Sequence, residues 1–434
     1  MKKLLTIIIS VLFSSNQIPG PTQSNPILLR NGIIHTISDG TIYGPDLLFD
    51  NGKIIAIGYG LDIPANTEII DVSEKHIYPG LISAGSTLGL QEINSVRATR
   101  DYAETGSINP NVNANVSYHP DSELIPVSRS NGILLSHVIP QSGRIPGISS
   151  MMLLDGWTWE DCTLKHPIAM NLNWPSMDLN FSHWNKKSIK EQEKTRENAL
   201  NEIDKIFNSA RAYNKLDKFS FNFKSNPRLQ ALLKVINGEI PLIIKANSVK
   251  EIESSIYWAE NQDIEIIILG GKDAWRVTDL LVEKDIPIIF ESVLSTPKRR
   301  YEDYDQPYKT PKVLFEAGVK FCISNSTSSF QTPHLRNLPY HAAMAASFGL
   351  LSDEAIRSIT LSTAEILGIA DLVGSLEPGK DATLFISDGD ILDIRSNVEI
   401  AYINGKRVDM SDRHKMLYRK YTEKYIQKSI LPKK

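Results

Sequence analysis

The chain has 434 residues, of which 41% are hydrophobic and 22% are charged, as is typical of globular proteins. With 47 Lys and Arg against 50 Asp and Glu, its net charge is −3, so it lacks the basic excess usual in nucleic-acid-binding proteins. No apolar run reaches the ~20 residues of a membrane span, and two cysteines exclude both a disulfide scaffold and a zinc site built on CxxC pairs.

Residues 1–18 are predicted to be a signal peptide. Two lysines at positions 2 and 3 precede an apolar segment at 4–13, and two serines follow it. An anchor helix or a buried strand is the alternative, but the apolar segment is short for a membrane span. We therefore expect an exported protein, periplasmic or extracellular.

Short strands with turn signals are predicted in two separate parts of the chain. Residues 26–75 contain strand-like runs punctuated by Asn-Gly and Asp-Gly turns, and the pair at 51–52 is a strong hairpin signal. Residues 374–410 return to this pattern, with another Asn-Gly turn at 404–405. We interpret the two parts as halves of one small β-sandwich domain.

Between these parts, residues 76–373 alternate short apolar strands with amphipathic helices. Three consecutive strand–helix repeats lie between residues 241 and 349. This alternation predicts an α/β fold, specifically a (β/α)8 TIM-like barrel. A doubly wound sheet is the alternative, but no GxGxxG follows a strand to mark a nucleotide site.

Residues 411–434 are predicted to form a basic C-terminal helix. Eight of them are Lys or Arg, and Leu417, Tyr421 and Tyr425 follow one face of the helix. Either this face packs on the rest of the protein, or the helix docks on a partner or an anionic surface. We favour the first interpretation.

Several motifs together resemble the amidohydrolase superfamily, and most of all the imidazolonepropionase-related amidohydrolases. The likeness covers roughly residues 26–410, and its motifs are IYPGLISAGSTLGL (77–90), LDGWTWE (154–160), LSTAEILGI (361–369), VGSLEPGKDATL (373–384), DGDILDIRS (388–396) and YINGKRV (402–408). The resemblance implies a barrel flanked by a split β-sandwich. It also implies hydrolysis of C–N bonds other than peptide bonds, by a water bound to one or two divalent metals such as zinc.

The resemblance further implies metal ligands at the strand ends: a His-x-His pair on strand 1, a Lys or Glu bridge on strand 4, one His each on strands 5 and 6, and an Asp on strand 8. Strand 4 offers no such bridge here. The other positions hold Gly85, Thr87, Lys245, Gly270 and Asn325. Glycine has no donor atom, threonine and asparagine are weak ligands, and lysine repels a cation. We therefore expect no metal or other cofactor to be retained and no confident catalytic residue.

Three residues are weak candidates for binding. His137 precedes a loop at the predicted mouth of the barrel, and Arg144 lies in a Gly/Ser-rich loop whose backbone N–H groups could hold an anion. Lys245 could form a Schiff base or hold a carboxylate if it is buried. The ordinary alternatives are a satisfied core histidine, an unspecialised loop and a salt-bridged lysine, and we favour these.

The other ligand-type residues show no common spacing. None of the nine histidines forms a His-x-His or HExxH pair, and the cluster at 155–166 is predicted to be structural. His334 and His341 flank the loop after the last barrel strand, and His341 is expected on a helix surface. Cys162 and Cys322 could pair, although the apolar run around Cys322 favours a buried free thiol.

The sequence thus predicts a catalytically inactive binding or partner subunit. Its partner would be an active amidohydrolase paralogue or a second copy of the chain, with neither nucleic acid nor a membrane span involved. The alternative is an active hydrolase of cyclic amides or related C–N bonds whose site is rearranged or completed by a partner. A metal-independent enzyme using Lys245 or His137 is a third possibility.

Overall fold

The computed structural model describes residues 17–217, 224–291 and 293–432. Almost all of the predicted signal peptide therefore lies outside the described residues. Within these ranges, no helix combines the length and the apolar character needed to cross a membrane.

The strands and helices follow one another along the described chain. The strands are β1 (Ile27–Arg30), β2 (Ile33–His35), β3 (Thr41–Tyr43), β4 (Asp46–Asp50), β5 (Lys53–Gly58), β6 (Glu68–Asp71), β7 (His76–Pro79), β8 (Leu81–Ser86), β9 (Ile133–Val138), β10 (Gly147–Ile148), β11 (Ser150–Leu153), β12 (Thr163–Lys165), β13 (Met170–Asn173), β14 (Leu242–Ala246), β15 (Ile266–Gly270), β16 (Ile288–Glu291), β17 (Phe321–Ser324), β18 (Leu384–Ser387), β19 (Val398–Ile403) and β20 (Lys406–Arg407). The α-helices are α1 (Leu124–Arg129), α2 (Trp159–Cys162), α3 (Ile189–Asn214), α4 (Pro227–Ile236), α5 (Val249–Gln262), α6 (Thr278–Glu283), α7 (Gln306–Glu316), α8 (Leu338–Ser347), α9 (Ser352–Arg357), α10 (Leu361–Ile366) and α11 (Arg413–Gln427).

Strands from the two distant parts of the chain pair in one sheet. Its order is β20-β19-β18-β7-β2-β3, and β18 runs antiparallel to β7. A second sheet, β5-β4-β1-β6, shares a hydrophobic core with it, in which the rings of Phe49 and Tyr402 lie 5.0 Å apart. The turns form where predicted, because Asn51-Gly52 and Asn404-Gly405 all adopt the positive φ that a tight hairpin requires. The two parts of the chain therefore contribute to one core.

The central part of the chain forms two further sheets. One has the order β10-β13-β14-β15-β16-β17 and is parallel from β13 to β17. The other has the order β12-β11-β9-β8, in which β8 and β9 are parallel. At the far edge β17 lies beside β8, where the Ser324 hydroxyl is 3.5 Å from the Gly85 carbonyl oxygen. The result is a mixed α/β fold in which the carboxyl ends of β13 to β17 face the same edge.

The predicted helices form, but two of them are interrupted. Ser188 and Ser248 cap α3 and α5 through capping boxes with the glutamates three residues later. The hydrophobic pattern predicts one helix over 352–367, but the structure splits it into α9 and α10, because the Thr360 hydroxyl donates to the Ile356 carbonyl and the Thr360 backbone leaves the helical region. The pattern also predicts one helix over 272–284, but this segment begins as a 3₁₀ turn, Ala274–Arg276, before α6.

The basic helix α11 lies on the surface and buries little of its length. None of its residues is buried, and Tyr421 and Tyr425 remain 48% and 42% exposed. The prediction that these two tyrosines pack on the protein is therefore wrong. Leu417, the third residue of the predicted face, is half-buried, as are Lys415, Thr422 and Ile426.

Candidate functional site at the carboxyl ends of the central strands

Of the predicted site residues, Lys245 lines a small cavity at the carboxyl ends of the central strands. Asn171, Lys245 and Leu269, from β13, β14 and β15, line one small cavity, together with Thr327 from the loop after β17. The volume of this cavity is about 10 Å³, which is room for a single water molecule. The mouth of the central strands is therefore nearly filled by the protein itself.

Thr327 is the residue that fills it. Its side chain is fully buried, and its hydroxyl accepts a hydrogen bond from Lys245 Nζ at 2.6 Å. Its backbone N–H donates to Glu291 Oε1 at 2.5 Å, and Glu291 Oε2 lies 3.7 Å from Lys245 Nζ. One threonine is thus held by a lysine near the end of β14 and a carboxylate at the end of β16, the two strands that flank β15.

Glu291 and Thr327 were not identified from the sequence. Glu291 is the last residue of β16, and its side chain is only 6% exposed. The signal that could have revealed the pair is a carboxylate, Glu291, at the end of an apolar strand, together with Lys245 near the end of another. The interpretation of Lys245 as a salt-bridged residue agrees with this geometry, and its amine is already bound to two partners.

The first-strand positions are closed to larger side chains. A Cβ atom built on Gly85 would lie 2.9 Å from Thr327 Cγ2 and 3.1 Å from Ile139 Cδ1. Thr87 is buried, and its hydroxyl is 2.6 Å from that of Thr332. An imidazole at either position would need space that these neighbours occupy.

Gly270 and Asn325, the positions expected to hold ligands on strands 6 and 8, also have structural roles. Gly270 has a φ of +108°, and a Cβ there would meet Asn247 Oδ1 at 2.7 Å. Asn325 is buried, and its amide donates to the Gln331 carbonyl at 3.2 Å, which shapes the loop after β17. The side chains at the five degenerate positions therefore pack or stabilise loops.

These residues do not fit a divalent metal. The polar side-chain groups that line the cavity are one ammonium, one hydroxyl and three amides, and the nearby Glu291 carboxylate is already paired with the ammonium. Zinc sites in proteins use imidazole, thiolate and carboxylate ligands, and the lysine charge opposes a cation. Among the described residues, no group of three or more His, Cys, Asp or Glu is placed to hold a metal.

His137 is buried in β9, away from the cavity. Because a carbonyl can only accept, its Nδ1 donates to the Ala84 carbonyl oxygen at 2.8 Å, and its Nε2 lies 2.7 Å from the Ser149 hydroxyl. Both ring nitrogens are satisfied, and burial lowers the pKa of His137 to about 4. This is the core-histidine alternative considered above, and the ring offers no free nitrogen to a ligand.

This burial predicts an acid-sensitive fold. A histidine whose pKa is about 6.5 in the unfolded chain and about 4 when folded stabilises fully above pH 6.5, and this contribution is lost as the pH falls to 4. We expect His137 to account for a loss of about 3 kcal/mol in the free energy of unfolding over this interval. Urea unfolding at several pH values measures this change in the free energy of unfolding. His137→Gln should have a shallower pH dependence, and an unchanged slope would contradict the assignment.

Arg144 is half-buried beside the same cavity. Its Nη1 donates to the Asn173 carbonyl at 2.5 Å, and the Asn173 N–H donates back to the Arg144 carbonyl at 2.8 Å. Burial lowers the pKa of Arg144, with the Glu202 carboxylate opposing this change. The guanidinium therefore fixes the end of β13. Because it binds the Asn173 carbonyl, it does not point into the loop that was predicted to hold an anion.

Three other expectations can be compared with the structure. Cys162 and Cys322 are both buried free thiols, so they do not pair. Asp155, from the ligand-type cluster, forms a buried ion pair with Arg129 at 2.9 Å, in keeping with a structural role. His341 was expected on a helix surface but is buried in α8, and burial lowers its pKa to about 4. The expectation failed because α8 packs between α7 and α9.

A much larger cavity lies elsewhere in the described part of the chain. It has a volume of about 870 Å³ and is lined by the amino ends of β15, β16 and β17 and the helices around them. Ion pairs such as Lys284–Glu260 and Arg357–Glu365 surround it. Functional groups in strand–helix folds collect at the carboxyl ends of the strands, so size alone does not make this cavity the site.

The loops around the filled mouth expose large aromatic side chains. They belong to the segments that follow β13, β16 and β17, and they are Phe181 (77% exposed), Trp184 (81%), Tyr301 (75%), Tyr304 (74%) and Phe330 (75%). Lys298 and Asp178, 3.0 Å apart, join the first two of these loops. Exposed apolar patches on a protein surface often mark interaction sites.

Comparison with known proteins gives one family. The family described as "Amidohydrolase family" matches residues 314–410. The chain is 38% identical over 81 residues to D-hydantoinase of Geobacillus stearothermophilus, covering 19% of this chain and 16% of that protein. It is 39% identical over 82 residues to imidazolonepropionase of Mesorhizobium japonicum, covering 18% of this chain and 20% of the relative. These matches span a fifth or less of each relative.

Solved structures extend the likeness over the whole fold. An amidohydrolase from Thermotoga maritima MSB8 superposes with a TM-score of 0.77 at 24% identity, over 88% of this chain and 99% of that one. Molinate hydrolase superposes with a TM-score of 0.53 at 14% identity, over 91% and 96% of the two chains. Together, the family match, the two relatives and the shared fold make this chain similar to members of the amidohydrolase superfamily.

Proposed function

We propose that this chain is a metal-free member of the superfamily that acts as a binding or partner subunit, without hydrolytic activity of its own. The observation that carries the proposal is the position of Thr327. Lys245 donates to its hydroxyl and Glu291 accepts from its backbone N–H, and its methyl group lies against Gly85, where the metal and its water would need space. Without a metal-activated hydroxide, the metal-dependent route of amide hydrolysis lacks its nucleophile.

We also propose that the two central sheets are a distorted (β/α)8 barrel and that the two outer sheets are a split β-sandwich domain. The contact between β17 and β8 supports closure of the barrel, and the antiparallel strands β10 and β11 stand where a third barrel strand would be. A crystal structure tests this, since an open edge between β17 and β8 would contradict it.

The partner role is supported by the exposed rings around the mouth. Phe181, Trp184, Tyr301, Tyr304 and Phe330 lie on three loops of the edge that carries the active site in related folds. Burying aromatic rings contributes strongly to protein interfaces. We propose an active amidohydrolase paralogue as the partner, with a second copy of this chain as the other outcome. Export by the segment 1–18 is part of the same proposal.

Metal analysis is the first test. The full chain, purified after expression with added zinc and then dialysed, should contain far less than one zinc per chain by elemental analysis. It should also fail to hydrolyse hydantoins, cyclic amides and dipeptides, with or without added zinc or manganese. Stoichiometric zinc, or metal-dependent turnover, would instead establish the alternative of an active hydrolase with a rearranged site.

The lysine needs its own control. Lys245 Nζ is 2.6 Å from Thr327 Oγ1, so we expect no imine to be trapped when the chain is treated with borohydride and small carbonyl compounds. Lys187, an exposed lysine, provides the comparison for non-specific reductive labelling. Selective labelling of Lys245 by mass spectrometry would favour metal-independent chemistry over the binding role.

The partner is tested by mixing. An active amidohydrolase from the same source should co-elute with this chain in gel filtration, and Trp184→Ser with Tyr301→Ser should abolish the complex. Tyr418→Ser, which removes an equally exposed ring on α11, is the matched control and should leave it intact. Formation of a homodimer by the chain alone, lost in the same variant, would identify a second copy as the partner.

A further inference from the structure

The helix α11 carries two neighbouring stripes that the proposed function does not use. Tyr418, Tyr421 and Tyr425 lie within an arc of roughly 60° on the helix, and they are 73%, 48% and 42% exposed. We call these three residues the tyrosine stripe. Four basic residues occupy the adjacent arc of roughly 80°, and we call them the basic stripe: Arg413, Lys420, Lys424 and Lys428.

The orientation of the helix is fixed at its first turn. Asp412 caps it, with its carboxylate accepting hydrogen bonds from the N–H groups of His414 and Lys415 at 2.7 and 3.0 Å. Lys415 Nζ also donates to the Met410 carbonyl at 2.7 Å, and Arg336 lies 2.9 Å from the His414 ring. Because Lys415 is held inward, the basic stripe, about half a turn away, faces solvent.

The charge of this helix is opposite to that of the chain. From 413 to 428 there are six Lys and Arg against one carboxylate, Glu423, although the whole chain has a net charge of −3. None of the four residues of the basic stripe forms an ion pair among the contacts of the described residues, while Lys424 Nζ lies 5.5 Å from the Tyr421 ring. The stripe thus presents a row of cations over a helix about 22 Å long.

We propose that α11 docks on the surface of an anionic lipid bilayer. A flat layer of anionic headgroups complements a straight row of cations, and each basic side chain near such a surface strengthens binding roughly fivefold. Tyrosine rings are favoured at the headgroup level, where the ring is partly buried and the hydroxyl stays hydrated. The helix would lie on the membrane without crossing it.

A second copy of the helix fits less well. Pairing two tyrosine stripes at the spacing 418, 421, 425 would place Lys424 and Lys428 of both copies close together. Like charges at the flanks of a helix pair oppose its formation. Self-association is therefore an outcome that would overturn the proposal.

The test uses the full chain and vesicles of phosphatidylcholine, with and without phosphatidylglycerol. We expect co-sedimentation with the anionic vesicles only, weakened by salt. Replacing Lys420, Lys424 and Lys428 by Gln should weaken binding on the order of a hundredfold. The matched control replaces Lys190, Lys194 and Lys205, three exposed lysines of α3, by Gln and should bind nearly as the parent chain does.

The tyrosine stripe is tested separately. Tyr421→Ser with Tyr425→Ser should weaken binding while keeping its salt dependence, and circular dichroism checks that the variants stay folded. Three results would overturn the proposal: equal binding to neutral and anionic vesicles, no binding to either, or binding that the lysine variant retains. Helix-dependent self-association in light scattering, without vesicles, would also overturn it.

Discussion

Arg129→Met is expected to lower the free energy of unfolding by about 3–5 kcal/mol, because it leaves a buried carboxylate without its cation. The side chains of Arg129 and Asp155 are 3% and 5% exposed, and Nη1 lies 2.9 Å from Oδ1. The same guanidinium donates to the Leu154 carbonyl at 2.7 Å, and Asp155 also accepts from the Gly20 N–H at 2.9 Å. The pair therefore holds the segment after the predicted signal peptide against the central fold.

Burial disfavours the charged forms of Arg129 and Asp155, and their mutual attraction offsets this effect. Burial lowers the pKa of Arg129 and raises the pKa of Asp155, and in each case the opposite charge of the other residue counters the effect. Replacing both residues, Arg129→Met with Asp155→Leu, should therefore be less damaging than the single change. Urea unfolding measures all three variants.

An exposed ion pair gives the control for this prediction. Lys320 and Asp285 are 2.8 Å apart but 64% and 72% exposed, so Lys320→Met should change stability very little. If Arg129→Met proved as mild as Lys320→Met, the pair would not be buried in solution as described.

Gly85→His, which restores the first histidine of the superfamily pair, is expected to destabilise the chain by about 4 kcal/mol without creating a metal site. The Cβ alone would approach Thr327 and Ile139 too closely, and overpacking of this kind costs about 1–3 kcal/mol. The imidazole would also bury a ring with no prepared hydrogen-bond partner, at a similar additional cost. Thermal or urea unfolding, with and without zinc, gives the result.

Two controls make this prediction specific. Gly58→His should be nearly neutral, because a Cβ there meets only Leu61 Cδ2 at 3.6 Å. Gly85→Ala combined with Thr327→Ser should be milder than Gly85→Ala alone, since the serine lacks the nearest methyl group. Stabilisation of Gly85→His by zinc would show that the mouth can open and bind a metal. That result would contradict the prediction.

Local signals in the sequence were reliable where one stretch of chain decides the outcome. Ser188 and Ser248 start helices through their own side chains, and the Asn-Gly pairs form hairpins because their φ angles allow few other turns. The interruption at Thr360 was missed, since a hydroxyl that bonds the backbone competes with a helix without changing its hydrophobic pattern. The predicted packing of Tyr421 and Tyr425 was wrong, because a stripe of tyrosines does not reveal which face of α11 meets the protein.

The sequence by itself determined the superfamily resemblance and the missing ligand types at Gly85, Thr87, Lys245, Gly270 and Asn325, because residue identity decides which donor atoms exist. Only the tertiary structure decided what occupies the space. Thr327 lies 82 residues after Lys245 along the chain, yet their side chains meet, with Glu291 beside them. Such contacts depend on how strands that are distant in the chain are placed beside one another, and no single segment carries that information.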